Sequence, residues 1–335
     1  MFYISLTLNE IKFMDEDKYK FSRAFNDLAV AVNHDCIEPS QVKQIKKNIG
    51  YSYSGIAHIA YDRSFMNWGL WDKNLFTEFS KLGFDFSRIS GGQDIYSILL
   101  QYFLVRPIIQ KAYFQKRILD VGCGNGIGLK VSSELLRAKE SVGADLACWS
   151  VANANKNFYQ KNQIHYIQSD AEDLALADGC FDVVTNIESS HSYPQLENFY
   201  HEVARVLAPG GYFCYADVES VKQQQIRRFE AFIKSRDDLR IIQKIDITKV
   251  IQGSIYNRLI VNEELFYNNS KLIFGETAEV LFTEMTALAL GMGVAFLPWW
   301  KIKFKQPMLR VFAKYVRKNK YWGKKLYFYY LVQKV

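Results

Sequence analysis

An α/β fold built on a mostly parallel sheet is what this 335-residue sequence predicts. Two observations carry the expectation. From residue 116 onward, short apolar runs alternate with amphipathic stretches, the rhythm of strands joined by crossover helices. The first such run, Arg117–Val121, passes directly into VGCGNGIG, a glycine-rich turn from a strand into a helix.

The elements follow in order. After the strand at 117–121, a helix is expected over 127–138 and a second strand over 141–146. Ile164–Gln168 and Phe181–Ile187 (FDVVTNI) read as the third and fourth strands. Leu196, Phe199, Tyr200, Val203, Val206 and Leu207 then fall on one helical face, and Pro209, Gly210 and Gly211 stop that helix. Strands at 212–216, 239–247 and 326–333 complete a seven-stranded, mostly parallel sheet with helices on both faces. Residues 1–115 read as an N-terminal helical region, with a helix over 15–32 and an aromatic stretch, YDRSFMNWGLW, over 61–71. The expected domains are therefore 1–115, a core at 116–247, a cap inserted at 248–320, and the final strand within 321–335.

Composition narrows the class. Hydrophobic residues at 49% and charged residues at 23% are ordinary for a globular chain, while 15% aromatics suit a greasy core or an apolar pocket. The five cysteines, Cys36, Cys123, Cys148, Cys180 and Cys214, form no CxxC pair, and the five histidines are dispersed. No metal site is expected, and scattered thiols fit a cytoplasmic setting. The first twenty residues carry no basic start followed by an apolar run, so no secretory leader is expected. Charge is uneven: no acid follows Glu284, while eleven Lys and Arg lie between Lys301 and Lys334. The apolar run 285–300 is too short and too broken by Gly291, Gly293 and Pro298 to span a bilayer, but it ends in Trp299 and Trp300 and leads into the basic stretch. Segment 285–325 is accordingly expected to form either a buried cap helix with a solvated rim or a peripheral contact with anionic membrane.

The candidate ligand site begins at the glycine turn. Gly122, Gly124 and Gly126 lie where backbone must approach a ligand or adopt positive φ. A dinucleotide fingerprint would need its third glycine at position 127, which is Ile127, so a dehydrogenase is disfavoured. Asp145 ends the second strand and can accept from ribose hydroxyls; Asp170, just past the third, can accept from an adenine amino group. With Asp120, three acids mark three successive strand ends, the face where open α/β sheets bind ligands.

The segments RILDVGCGNG, GADL, SDAEDL, FDVVTNIESSHSYP and RVLAPGGYFCYAD together resemble the ordered motifs of Rossmann-like class I S-adenosylmethionine methyltransferases, over roughly residues 90–220. NIESSHSYPQLENFYHEVARVLAPGGYFCYAD is most similar to phthiotriolone-type lipid and polyketide O-methyltransferases, and more distantly to small-molecule sugar O-methyltransferases. The resemblance implies S-adenosylmethionine as cofactor. It would place the methionine part on Asp120 and the backbone of Gly122, Cys123, Gly124 and Gly126, the ribose on Asp145 beside Leu146, and the adenine on Asp170 and Ala171. Asn186 would present a carbonyl to the methionine amino group.

A hydroxyl acceptor needs a base beside the reactive methyl. His191, just past the fourth strand, is the first candidate, and Asp217, ending the fifth, could orient it; the sugar O-methyltransferases use a His and an Asp at these strand ends. Glu188 is the other candidate base, with Tyr193 on the same loop. Tyr61, Trp68 and Trp71 resemble the family's N-terminal lid, or else form an aromatic core cluster. The expected reaction is O-methylation of a lipid-like, polyketide or other small apolar acceptor. Its rivals are C-methylation of an alkene and a fold kept as a binding module. No nucleic-acid partner is expected.

Overall fold

The computed structural model describes residues 38–59, 65–85, 89, 94–220, 225–261 and 325–335. The expected helix at 15–32, Tyr61, the cap beyond residue 261 and segment 285–324 lie outside the described residues.

Eight helices and seven strands are described: α1 Pro39–Ile59, α2 Lys73–Ser80, α3 Ile95–Gln110, β1 Arg117–Val121, α4 Ile127–Leu135, β2 Glu140–Asp145, α5 Cys148–Phe158, β3 Ile164–Gln168, β4 Phe181–Ile187, α6 Leu196–Val206, β5 Leu207–Ser220, α7 Gln225–Lys234, β6 Leu239–Asp246, α8 Thr248–Tyr256 and β7 Lys325–Lys334. The strands form one sheet in the order β3-β2-β1-β4-β5-β7-β6. β1 to β5 pair in parallel, and β7 runs antiparallel between β5 and β6. The sheet is therefore mixed but mostly parallel, as the alternating pattern predicts. The order reverses at β1, so the loops after β1 and β4 open a crevice at their carboxyl ends.

Helix α6 stops before the predicted Pro-Gly-Gly, and Leu207 already pairs with Phe181. The cause is local: Pro209 disfavours helical backbone at Ala208, the residue before it. β5 thus extends well beyond the expected 212–216 at both ends.

Apolar clusters cover both faces of the sheet. On one, α3 contributes Ile98, Leu99, Leu100, Leu104, Val105 and Ile108, all fully buried, packed with Ile118, Val183, Cys214 and Tyr329 of the strands. A helix apolar on every side is a core helix, so α3 is a layer of this core. On the other face, Phe199, Tyr200 and Val203 of α6 and Phe229 of α7 pack on Val184, Phe213 and Tyr215.

Gly126, at the start of α4, has φ +85°, and an added Cβ would stand 2.6 Å from Ala154 Cβ and 2.7 Å from the Tyr166 ring. It is a packing glycine whose contacts are helix and strand. Gly126→Ala combines left-handed strain with overpacking and should destabilise the fold by about 2–4 kcal/mol, read as a lower melting temperature.

Candidate active site

The glycine turn after β1 sits at the floor of a cleft at the carboxyl ends of β1, β2 and β4. Gly122 (φ +72°) and Gly124 (φ +53°) both line it and hold backbone that L-residues rarely adopt. A Cβ at Gly122 would overlap Ser189, so the loop after β4 lies directly against the turn. At Gly124 only the flexible Met66 side chain comes near, its sulfur 3.3 Å away.

Asp145 organises the opposite edge. Its carboxylate accepts from Gly124 N–H and Ala147 N–H, each at 2.8 Å, which ties the end of β2 to the glycine turn. Asp120 is 6% exposed and accepts from Thr185 Oγ1 at 2.7 Å. Burial pushes its carboxyl up to about 7, against the Thr185 hydrogen bond and with help from the charge of Asp145. Burial likewise pushes Asp145 up, opposed by its backbone donors.

Helix α1 forms the outer wall. Lys46 reaches across to Asp170 (2.7 Å) and Glu172 (2.5 Å), and Tyr53 Oη lies 3.2 Å from Ser192 Oγ. Lys46, Ile49 and Tyr53 line the cleft, with Phe65, Met66 and Asn67 beside them. Two buried polar atoms in this lining, Asn125 Nδ2 and Ser150 Oγ, have no hydrogen-bond partner; their residues are 2% and 1% exposed. Such orphaned groups are rare in native folds, and here both border a cavity.

The loop after β4 brings in the acid. Glu188 has φ +47°, a conformation that non-glycine residues seldom hold and that turns the chain at the strand end. Trp68 N–H donates to both its carboxyl oxygens at 3.0 Å, and Tyr327 Oη donates to Oε1 at 2.9 Å. Burial pushes this carboxyl up to about 8, opposed by those donors. The residue also lines the cleft.

His191 is placed elsewhere. Its Nδ1 lies 2.7 Å from Asp217 Oδ1, and it borders a separate, smaller depression with Gln225 and Arg228. Asp217, 5% exposed, also accepts from Ser190 Oγ (2.5 Å), His191 N–H (3.0 Å) and Val218 N–H (2.6 Å). Burial would raise its carboxyl, but the His191 and Ser190 contacts outweigh that and hold it below the usual carboxylate range. The expected pairing forms, and neither residue lines the cleft. The 3₁₀ turn Ser190–Ser192 directs His191 back toward β5.

Among the other expected residues, Asp120, Gly122, Cys123, Gly124, Asp145, Leu146, Asp170, Ala171, Glu188 and Tyr193 all line the cleft. Gly126 does not, for the packing reason given above. Asn186 is fully buried; its amide donates to Val121 C=O at 2.8 Å, and its Oδ1 has no protein partner. Trp68 and Trp71 pack against the core instead of lining the cleft, Trp71 5.4 Å from the Tyr96 ring. Lys46, Tyr53, Phe65, Met66, Asn125 and Ser150 are cleft residues that motif reading misses. Among the described residues no cluster of His, Cys, Asp or Glu could hold a metal ion, and no helix is long and apolar enough to cross a membrane.

A family model described as a methyltransferase domain matches residues 119–215, the stretch that builds this cleft. Residues 119–215 form a methyltransferase domain. It is 43% identical over 102 residues to a fatty-acid O-methyltransferase of Mycolicibacterium smegmatis, covering 30% of this chain and 37% of that one. It is 35% identical over 138 residues to a probable phthiotriol/phenolphthiotriol dimycocerosates methyltransferase 2 of Mycobacterium ulcerans, covering 41% and 52%. The chain thus spans about half or less of the length of these curated relatives. In fold it is similar to a geranyl diphosphate C-methyltransferase of Streptomyces coelicolor (TM-score 0.54, 13% identity, 87% of this chain and 97% of that one) and to the [4+2]-cyclase SpnF (0.53, 17%, 86% and 96%).

The residues of the methyltransferase cleft fit S-adenosylmethionine. Gly124 leaves room that a side chain would fill, Asp145 offers an acceptor at a strand end, and Asn125 and Ser150 offer unsatisfied polar atoms. The raised acids also make a stability prediction. Asp120 and Glu188 keep their protons to about 7 and about 8 when folded, but release them near 4 when unfolded. Between those values the folded chain binds more protons, so stability should fall as pH rises from about 4 to about 8. Melting temperatures across that range should decline, and Asp120→Asn should flatten the decline.

Proposed function

We propose that the chain transfers a methyl group from S-adenosylmethionine to a hydroxyl oxygen of a lipid-type acceptor. The observation that carries this reading is Glu188, a carboxyl in the cleft wall on the loop packed against the glycine turn, held by Trp68 N–H and Tyr327. When bound, the cofactor supplies an electrophilic methyl carbon on a sulfonium. Asp145 would accept from its ribose, Ala171 and Leu146 would border its adenine, and the backbone at Gly122 and Gly124 would receive its amino-acid end. Asp170 would share its carboxylate between the adenine and Lys46. Ile49, Tyr53, Phe65 and Met66 give the rest of the cleft an apolar wall suited to a lipid chain.

In-line displacement requires the acceptor oxygen close to the methyl carbon, and a hydroxyl must lose its proton as the bond forms. Glu188, once ionised, takes that proton. Trp68 N–H and Tyr327 Oη keep the carboxyl aimed, and burial makes it a stronger base than an exposed glutamate. The names of the two curated relatives support a lipid-type acceptor. Product analysis with methyl-labelled donor tests the reading, offering a long-chain alcohol and a fatty acid of equal length. A methyl ether as the main product is expected. Ester alone would move the reaction to carboxyl groups, which need no base, and label fixed to carbon would place it with the C-methyltransferases.

A further inference from the structure

We propose that the outward face of α1 and α5 docks the mouth of the cleft on an anionic lipid surface. The proposal rests on the lipid-type acceptor inferred above and concerns how that acceptor is reached. The two helices pack side by side: Ser54 Oγ lies 3.6 Å from Cys148 Sγ, Asn153 donates to Ala57 C=O at 2.8 Å, and Gly50 faces Leu146 just ahead of α5. Neither helix contains an acidic residue. On α1, Lys43, Lys47 and Tyr51 are exposed and four residues apart, so they form one stripe, with Lys47 Nζ 5.7 Å from the Tyr51 ring centre. On α5, Trp149 and Lys156 are exposed. Tyr51 is 50% and Trp149 46% exposed, unusual for rings of that size.

The same helix joins this face to the cleft. Lys46, Ile49 and Tyr53, on the inward side of α1, line the cavity, and Lys46 spends its charge on Asp170 and Glu172. Lys43 and Lys47 are exposed and do not line the cavity. Interfacial aromatics beside lysines are the composition that settles at lipid headgroups, where each lysine near an anionic surface adds about 1 kcal/mol. A lipid acceptor leaving the bilayer next to α1 would meet the cleft wall within one helix diameter, about 10 Å.

Co-sedimentation of the full chain with phosphatidylcholine vesicles, with and without phosphatidylglycerol, tests the proposal. Pelleting that requires the anionic lipid and fades with salt is expected. Lys43→Glu with Lys47→Glu should weaken it by about tenfold or more, and Trp149→Ser by a smaller factor, with melting temperatures unchanged. Wild type that fails to pellet, or variants that pellet like wild type because binding runs through the basic segment 301–334, would overturn it; so would retention on duplex nucleic acid alone. The variants should still methylate a detergent-dispersed acceptor at the wild-type rate while losing a vesicle-embedded one. Loss of both rates would also overturn the proposal, since the residues would then act on the cleft itself. A chain that docks as described yet methylates no lipid would sink the functional reading and leave the docking face standing.

Discussion

Glu188→Gln should lower turnover on a hydroxyl acceptor by about 10²–10⁴-fold, the range for loss of a general base, while cofactor affinity changes little. The amide keeps the shape and can still accept from Trp68 N–H, so the fold should hold. The effect has a pH signature. Because burial raises the Glu188 carboxyl to about 8, the wild-type rate should climb with pH through that value as the carboxylate forms. The variant should show no such climb. A fatty acid, already ionised near neutral pH, should lose far less on the same substitution. Steady-state rates for both acceptors across pH separate a base from a residue that merely shapes the cleft. Near-normal turnover of the alcohol would remove Glu188 from the chemistry and return attention to His191.

Gly124→Val should abolish measurable binding of S-adenosylhomocysteine, at least a hundredfold loss by calorimetric titration. Position 124 separates binding from folding better than its neighbours. A side chain at Gly122 or Gly126 collides with Ser189 or with Ala154 and Tyr166, whereas at Gly124 it meets only Met66. The branched side chain would enter the cleft and disfavour the φ of +53° from which Gly124 N–H donates to Asp145. Unchanged affinity would displace the cofactor from the glycine turn. A milder change on the same edge, Asp145→Ala, should cost about 1–3 kcal/mol by leaving ligand hydroxyls and two backbone donors unpaired.

Much of the sheet was legible because parallel strands buried on both faces are near-continuous apolar runs, and Arg117–Val121 and Phe181–Ile187 sit where such runs place them. The glycine turn and Asp145 were legible for a related reason: a strand end is fixed by the strand before it. Loops carry no such constraint. His191 and Glu188 stand three residues apart, and only the positive φ at Glu188 and the turn at Ser190–Ser192 decide which faces the cleft. Lys46 was illegible because its partner Asp170 lies 124 residues away, and nothing local in PSQVKQIKKNIG points there. Helix α3 did leave a signal. IYSILLQYFLVRPIIQ is apolar on all sides, which marks a core helix rather than a lid.

The account's central claim is that donor and acceptor meet between the glycine turn and Glu188. A crystal structure with S-adenosylhomocysteine and a long-chain alcohol measures this directly. The account predicts ribose hydroxyls within hydrogen-bond reach of Asp145, the homocysteine sulfur over the Gly122–Gly124 backbone, and the alcohol oxygen within about 3 Å of a Glu188 oxygen. An alcohol oxygen bound at His191, with Glu188 turned away from both ligands, would contradict it.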